Sequence, residues 1–165
     1  MSEPVEQILE TGKAPVMDLQ PATQGLGRSP LAHVDLAELA QHNPPQAGVY
    51  FKEQALLAHL TLRCDGGDSA QTNAVESIVG APLPLSPLRS VTAGQTVIRW
   101  MAPDEWLITV SGDQAFALEE AFRAQMPGHY ALVNVSGGLT VYRLSGANAI
   151  DVLQRSVPVD LHPRQ

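Results

Sequence analysis

A chain of 165 residues has the length of one domain, long enough to bury roughly two thirds of its unfolded surface around a single core. Its charged share of 16% lies below the usual figure of about 25%, which leaves more uncharged surface than normal and hints at another protein as neighbour. A formal net charge of −7 with only 10 Lys+Arg speaks against nucleic acid and against anionic membranes, both of which are bound by clustered cations.

The opening MSEPVEQILETGK has no basic segment followed by an apolar run, so a secretory leader is not expected. Nowhere does the chain approach the ~20 consecutive apolar residues of a membrane span. Residues 1–45 read as an extended arm, because Pro4, Pro15, Pro21, Pro30, Pro44 and Pro45 remove donors and fix φ. Apolar residues such as Val5, Ile8, Leu9 and Met17 suit such an arm to lying across a partner. Inside it, Val34 to His42 reads as a short helix, with Asp35 and Glu38 at N-cap spacing.

Residues 46–165 read as an α+β domain, regular from residue 55. Leu56 to Cys64 predicts a strand, broken by Gly66–Gly67. Cys64 has no internal partner, which agrees with a reducing cytoplasm, and it reads as a small buried strand residue. Asn73 to Val79 predicts a helix opened by Asn73 and Glu76, buried along Val75, Ile78 and Val79, and stopped by Gly80 and Pro82. Val97 to Met101 and Trp106 to Val110 predict two strands around a Pro103–Asp104 turn. Trp106, Ile108 and Val110 then share one face, and Leu107 and Thr109 the other.

A helix from Gln114 to Met126 follows, capped by Ser111 and Gln114, with Ala115, Leu118 and Phe122 buried and Pro127–Gly128 ending it. Tyr130 to Val135 and Leu139 to Leu144 predict two strands, and Gly137–Gly138 between them predicts a tight hairpin, whose mirror-image turn needs φ > 0. A last helix from Ser145–Gly146 carries Ala149, Ile150 and Leu153 inward. The order β-α-β-β-α-β-β-α predicts a ferredoxin-like sheet with helices on one face.

Asp104 and Glu105 could be paired catalytic acids, but at a hairpin tip neighbouring side chains diverge, so the turn reading is preferred. His33, His42, His59, His129 and His162 are scattered without metal-ligand spacing. Ser136–Gly137–Gly138 lies between strands, which does not suit a phosphate loop. Ser145–Gly146–Ala147 at a helix start suits an anion better, although simple capping by Ser145 explains it. Trp100 and Trp106 read as core or interface aromatics. No catalytic, cofactor-binding or metal-binding residue is assigned in this chain.

Three segments together resemble one family: SPLAH at 29–33, WMAPDEWLITV at 100–110, and VNVSGGLTVYRLSGANAIDVLQRSVPVDL at 133–161. They are similar to the gamma subunit of heterotetrameric sarcosine oxidase. The third is also similar, more distantly, to the folate-binding fold of glycine-cleavage aminomethyltransferases. Pro158, Asp160 and Leu161 match the family pattern, whereas Asn134 stands in place of Asp and Val157 in place of Cys. The family continues through further strands, so an incomplete last sheet is expected here.

The resemblance implies a non-catalytic gamma subunit in a cytoplasmic complex with alpha, beta and delta subunits. That complex oxidises sarcosine to glycine, hydrogen peroxide and a one-carbon unit accepted by tetrahydrofolate. FAD, FMN, NAD, tetrahydrofolate and zinc are expected in the partner subunits and none in this chain. Two rival readings are an independent folate-binding or aminomethyltransferase-like module, with Asp104 or Asp160 as its pterin carboxylate, and the same subunit in a complex acting on another N-methyl amino acid.

Overall fold

The computed structural model describes residues 27–42 and 48–161. Of the expected arm, residues 1–26 and 43–45 lie outside the described part, as does His162. The rest contains helix α1 (Leu36–Gln41), opened as expected by Asp35, whose Oδ1 accepts the Glu38 amide N–H at 2.8 Å.

The centre of the molecule is a five-stranded antiparallel sheet. It comprises β2 (Leu57–Arg63), β3 (Ser90–Ala93), β4 (Thr96–Ala102), β5 (Glu105–Ser111) and β6 (Ala131–Asn134), in the order β3-β4-β5-β2-β6. Helices α2 (Ser69–Val79) and α3 (Ala115–Gln125) pack on each other and on this sheet. Without the edge strand β3, the run β2-α2-β4-β5-α3-β6 with order β4-β5-β2-β6 is the ferredoxin-like arrangement. Alternation builds the core: Ala58, Leu60 and Leu62 of β2 lie opposite Val110, Ile108 and Trp106 of β5, and all six are buried. Phe122 from α3 and Val75 from α2 close the core from above, and Ala115 and Leu118 pack against it.

Several local expectations are corrected. Helix α2 begins at Ser69, four residues before Asn73, with the Asp68 carboxylate accepting the Ala70 N–H. Its first turn is polar because Gln71 is a buried tie: Oε1 accepts from the Asp65 amide, and Nε2 donates to the His129 carbonyl. Gly80, at φ +77, ends it in the left-handed cap conformation. Helix α3 is entered through a 3-10 turn over Gly112–Gln114, and neither Ser111 nor Gln114 makes a side-chain cap bond.

The hairpin expected at Gly137–Gly138 does not form. Neither glycine has positive φ, and Ser136–Gly138 is a single 3-10 turn. Its geometry is set by hydrogen bonds back to β2: Ser136 Oγ accepts the His59 N–H at 2.9 Å, and the Val135 N–H donates to the His59 carbonyl at 2.8 Å. The chain then leaves the main sheet. Strand β7 (Val141–Ser145) pairs with β1 (Tyr50–Gln54), an unexpected strand, as a separate two-stranded ribbon.

Helix α4 (Ala149–Ser156) starts three residues past the Gly146 position expected for it. Gly146 instead sits at φ +110, where a Cβ would meet the Gly48 carbonyl oxygen at 2.5 Å, so only glycine fits this crossing. Of its expected inward residues Ala149 is buried, but Ile150 is half exposed.

Candidate functional site

Three places gather polar groups. The first is the β4–β5 turn. Asp104 and Glu105 follow each other in sequence, yet both reach back to Arg63 at the end of β2: Nη2 to Asp104 Oδ2 is 2.6 Å, and Nε to Glu105 Oε2 is 3.8 Å. The two acids, expected to point apart at the turn, instead converge on one guanidinium. Hydrogen bonding to Arg63 holds the Asp104 carboxyl below the usual carboxylate range. An acid held ionised on an exposed ion pair is poorly suited to proton donation near neutrality.

The second is a row of side chains on the sheet face opposite the helices. Arg99 Nη1 donates to Thr109 Oγ1 at 3.1 Å, and that hydroxyl lies 3.3 Å from His59 Nδ1. Burial, with Arg99 nearby, pushes the His59 pKa down. The ring is therefore a buried structural group at the centre of the sheet.

The third is an open cleft of about 1080 Å³ between the start of β2, the Ser136 turn and the segment entering at Arg28. Asn134 lines it, but its amide is already engaged: Nδ2 donates to Glu119 Oε1, while Oδ1 accepts from both the backbone N–H and the hydroxyl of Ser136. Asp104 sits at the opposite end of β2 from this cleft, roughly 20 Å away at strand rise. Asp160 lies in the exposed segment after α4.

The remaining candidates fall into place singly. Burial, reinforced by Asp65, Asp104 and Asp68, pushes the Cys64 thiol up to about 11, which removes it as a nucleophile. His33, His42 and His129 are exposed, and His42 Nδ1 lies 2.9 Å from its own helix carbonyl at Glu38. Among the described residues no group of three His, Cys, Asp or Glu could hold a metal. Trp106 is sealed in the core, with Trp100 beside it on β4, partly buried. At Ser145–Gly146–Ala147 no helix begins, and the following Asn148 N–H is taken by the Gly48 carbonyl at 2.9 Å.

Residues 63–165 match the family described as "Sarcosine oxidase, gamma subunit family". The chain is 32% identical over 143 residues to sarcosine oxidase subunit gamma of Corynebacterium sp. (strain U-96), covering 85% of this chain and 68% of that protein. To the Arthrobacter sp. subunit gamma it is 33% identical over 141 residues, covering 84% and 67%. Among solved structures it is similar to a chain of the heterotetrameric sarcosine oxidase from Corynebacterium sp. U-96 in complex with pyrrole 2-carboxylate. That match has a TM-score of 0.69 and 30% identity, over 86% of this chain and 72% of the other.

Proposed function

The chain belongs to the sarcosine oxidase gamma subunit family, and from that premise we propose that it is the non-catalytic gamma subunit of a heterotetrameric sarcosine oxidase. Its role in this reading is assembly: it packs against alpha, beta and delta subunits and stabilises the complex. The complex converts sarcosine to glycine, hydrogen peroxide and a one-carbon unit that tetrahydrofolate accepts. FAD, FMN, NAD, tetrahydrofolate and zinc belong to the partner subunits. The compartment is the cytoplasm, in keeping with a single buried cysteine. Among the described residues no helix is long and apolar enough to cross a membrane.

One observation carries the reading: similarity to a chain of a heterotetrameric oxidase extends over most of this fold at 30% identity. The polar groups of the chain agree with it. Asp104, Glu105, Asn134, His59 and Thr109 are each spent on contacts within the chain. The rival folate-binding module would use the cleft beside Asn134, where the amide is already consumed.

Co-expression with the other three subunits tests the proposal. The expected result is co-elution of the chain with flavin-absorbing material on size exclusion, and no heat from tetrahydrofolate added to the isolated chain. Micromolar folate binding by the isolated chain would transfer support to the module reading.

A further inference from the structure

The β1–β7 ribbon places two cations face to face. Lys52 of β1 is directly opposite Arg143 of β7, and both side chains are exposed. Like charges in register across an antiparallel pair repel and destabilise it. The other residues on that ribbon face, Tyr50, Gln54, Val141 and Ser145, supply no carboxylate. Glu53 points to the opposite face, where its carboxylate accepts from Ser29 Oγ at 2.7 Å and from the Leu31 N–H at 3.2 Å. Among the described residues, no ion pair engages Lys52 or Arg143. In a chain of net charge −7 with ten cations, placing two of them in this register is costly.

The element carrying the repulsion is itself weak. A two-stranded ribbon is marginal in water without further cover. Its aromatic residues remain open: Tyr50, Phe51 and Tyr142 are each about half exposed, although Phe51 and Tyr142 stack with ring centroids 5.1 Å apart. Of these rings only Tyr50 shares the face of Lys52 and Arg143, while Phe51 and Tyr142 lie on the other face with Glu53. An exposed tyrosine beside two cations that no ion pair engages among the described residues suits a negatively charged neighbour.

We infer that the ribbon face bearing Lys52 and Arg143 docks an acidic segment of a partner subunit, whose carboxylates supply the two missing counter-charges. This rests on the assembly reading and names the surface that serves it. The partner relieves the cross-strand repulsion and covers the neighbouring Tyr50, so the ribbon reaches full stability only in the complex.

The two roles of Lys52 can be separated by experiment. Lys52→Glu puts an acid opposite Arg143, so the isolated full-length chain should melt at the same temperature or higher. Its affinity for the co-expressed alpha–beta–delta assembly should nevertheless fall at least about tenfold. Lys52→Glu with Arg143→Glu should fall further and lose salt dependence, whereas Lys52→Arg should bind like wild type. Undiminished affinity of the doubly reversed variant overturns the docking surface and leaves the assembly reading standing. If the wild-type chain itself does not join the assembly, both fall together.

Discussion

Trp106 Nε1 donates to the Pro84 carbonyl at 2.8 Å in a place solvent does not reach, both residues being buried. This bond ties the loop after α2 to the middle of the sheet and explains how an indole can be fully enclosed without an orphaned donor. Gly66 presses on the same ring, where a Cβ would lie 3.0 Å from Cη2. Trp106→Ala should therefore cost about 3–5 kcal/mol, as large core truncations do. Trp106→Phe refills much of the volume but leaves the Pro84 oxygen unpaired, for about 1–3 kcal/mol. Urea unfolding of the isolated chain checks both, and an unchanged midpoint for the alanine variant would refute the core assignment.

Asp104 and Glu105 give a prediction about activity. Glu105→Gln should leave turnover of the assembled complex near normal, because the carboxylate serves an exposed ion pair with Arg63. A fall of about 100-fold or more would mean general acid–base work. The pH dependence is a second readout. The Asp104 pKa is depressed in the fold, so its contribution to stability is present above the unfolded value of about 3.9 and is lost as pH falls through the folded value. Asp104→Asn should lower stability at neutral pH and flatten that acid limb, so that the two chains converge in acid.

The central strands were legible because burial on one face writes an alternating pattern: Trp106, Ile108 and Val110 announce β5 directly. Where burial is weak, the pattern vanishes. Tyr50–Gln54 reads YFKEQ with no apolar alternation, so β1 was missed, and with it the pairing that draws β7 away from β6. The glycine pair at 137–138 signalled a hairpin by local chemistry, but the hydroxyl of Ser136 is bound to a strand 77 residues earlier, which no local rule registers. Gln71 hid the start of α2 for a similar reason: a buried amide tie looks polar in sequence. The Asp104–Glu105 turn was readable. That both acids meet at Arg63 depends on the β2–β5 register and was not.

Leu88 offers a stabilising substitution. It sits at φ +61, a conformation that costs a branched side chain roughly 1–2 kcal/mol, and it is 84% exposed, so little packing offsets the strain. Leu88→Gly removes the steric cost, although the freer unfolded chain returns part of it. The isolated chain should gain up to about 1 kcal/mol, read as a shift in urea midpoint at constant m. A loss of stability instead would show that the leucine side chain packs in solution.

His59 sets how stability responds to mild acid. Its ring is 2% exposed, and its Nδ1 faces the Thr109 hydroxyl, whose oxygen already accepts from Arg99. That leaves the hydroxyl hydrogen free to donate to an unprotonated Nδ1, so the geometry favours neutral imidazole; burial and the Arg99 charge act in the same direction. The folded pKa thus lies below the unfolded value of about 6.5. As pH falls through that value the unfolded chain takes up a proton that the folded chain refuses, and stability declines until the folded pKa is reached. Above about pH 7 the effect is absent. Urea midpoints measured from about pH 7.5 down to about pH 5.5 should fall for the wild-type chain. His59→Gln cannot take up that proton, so its midpoint, whatever its starting value, should change less over the same range; equal slopes would show that His59 protonates as readily folded as unfolded.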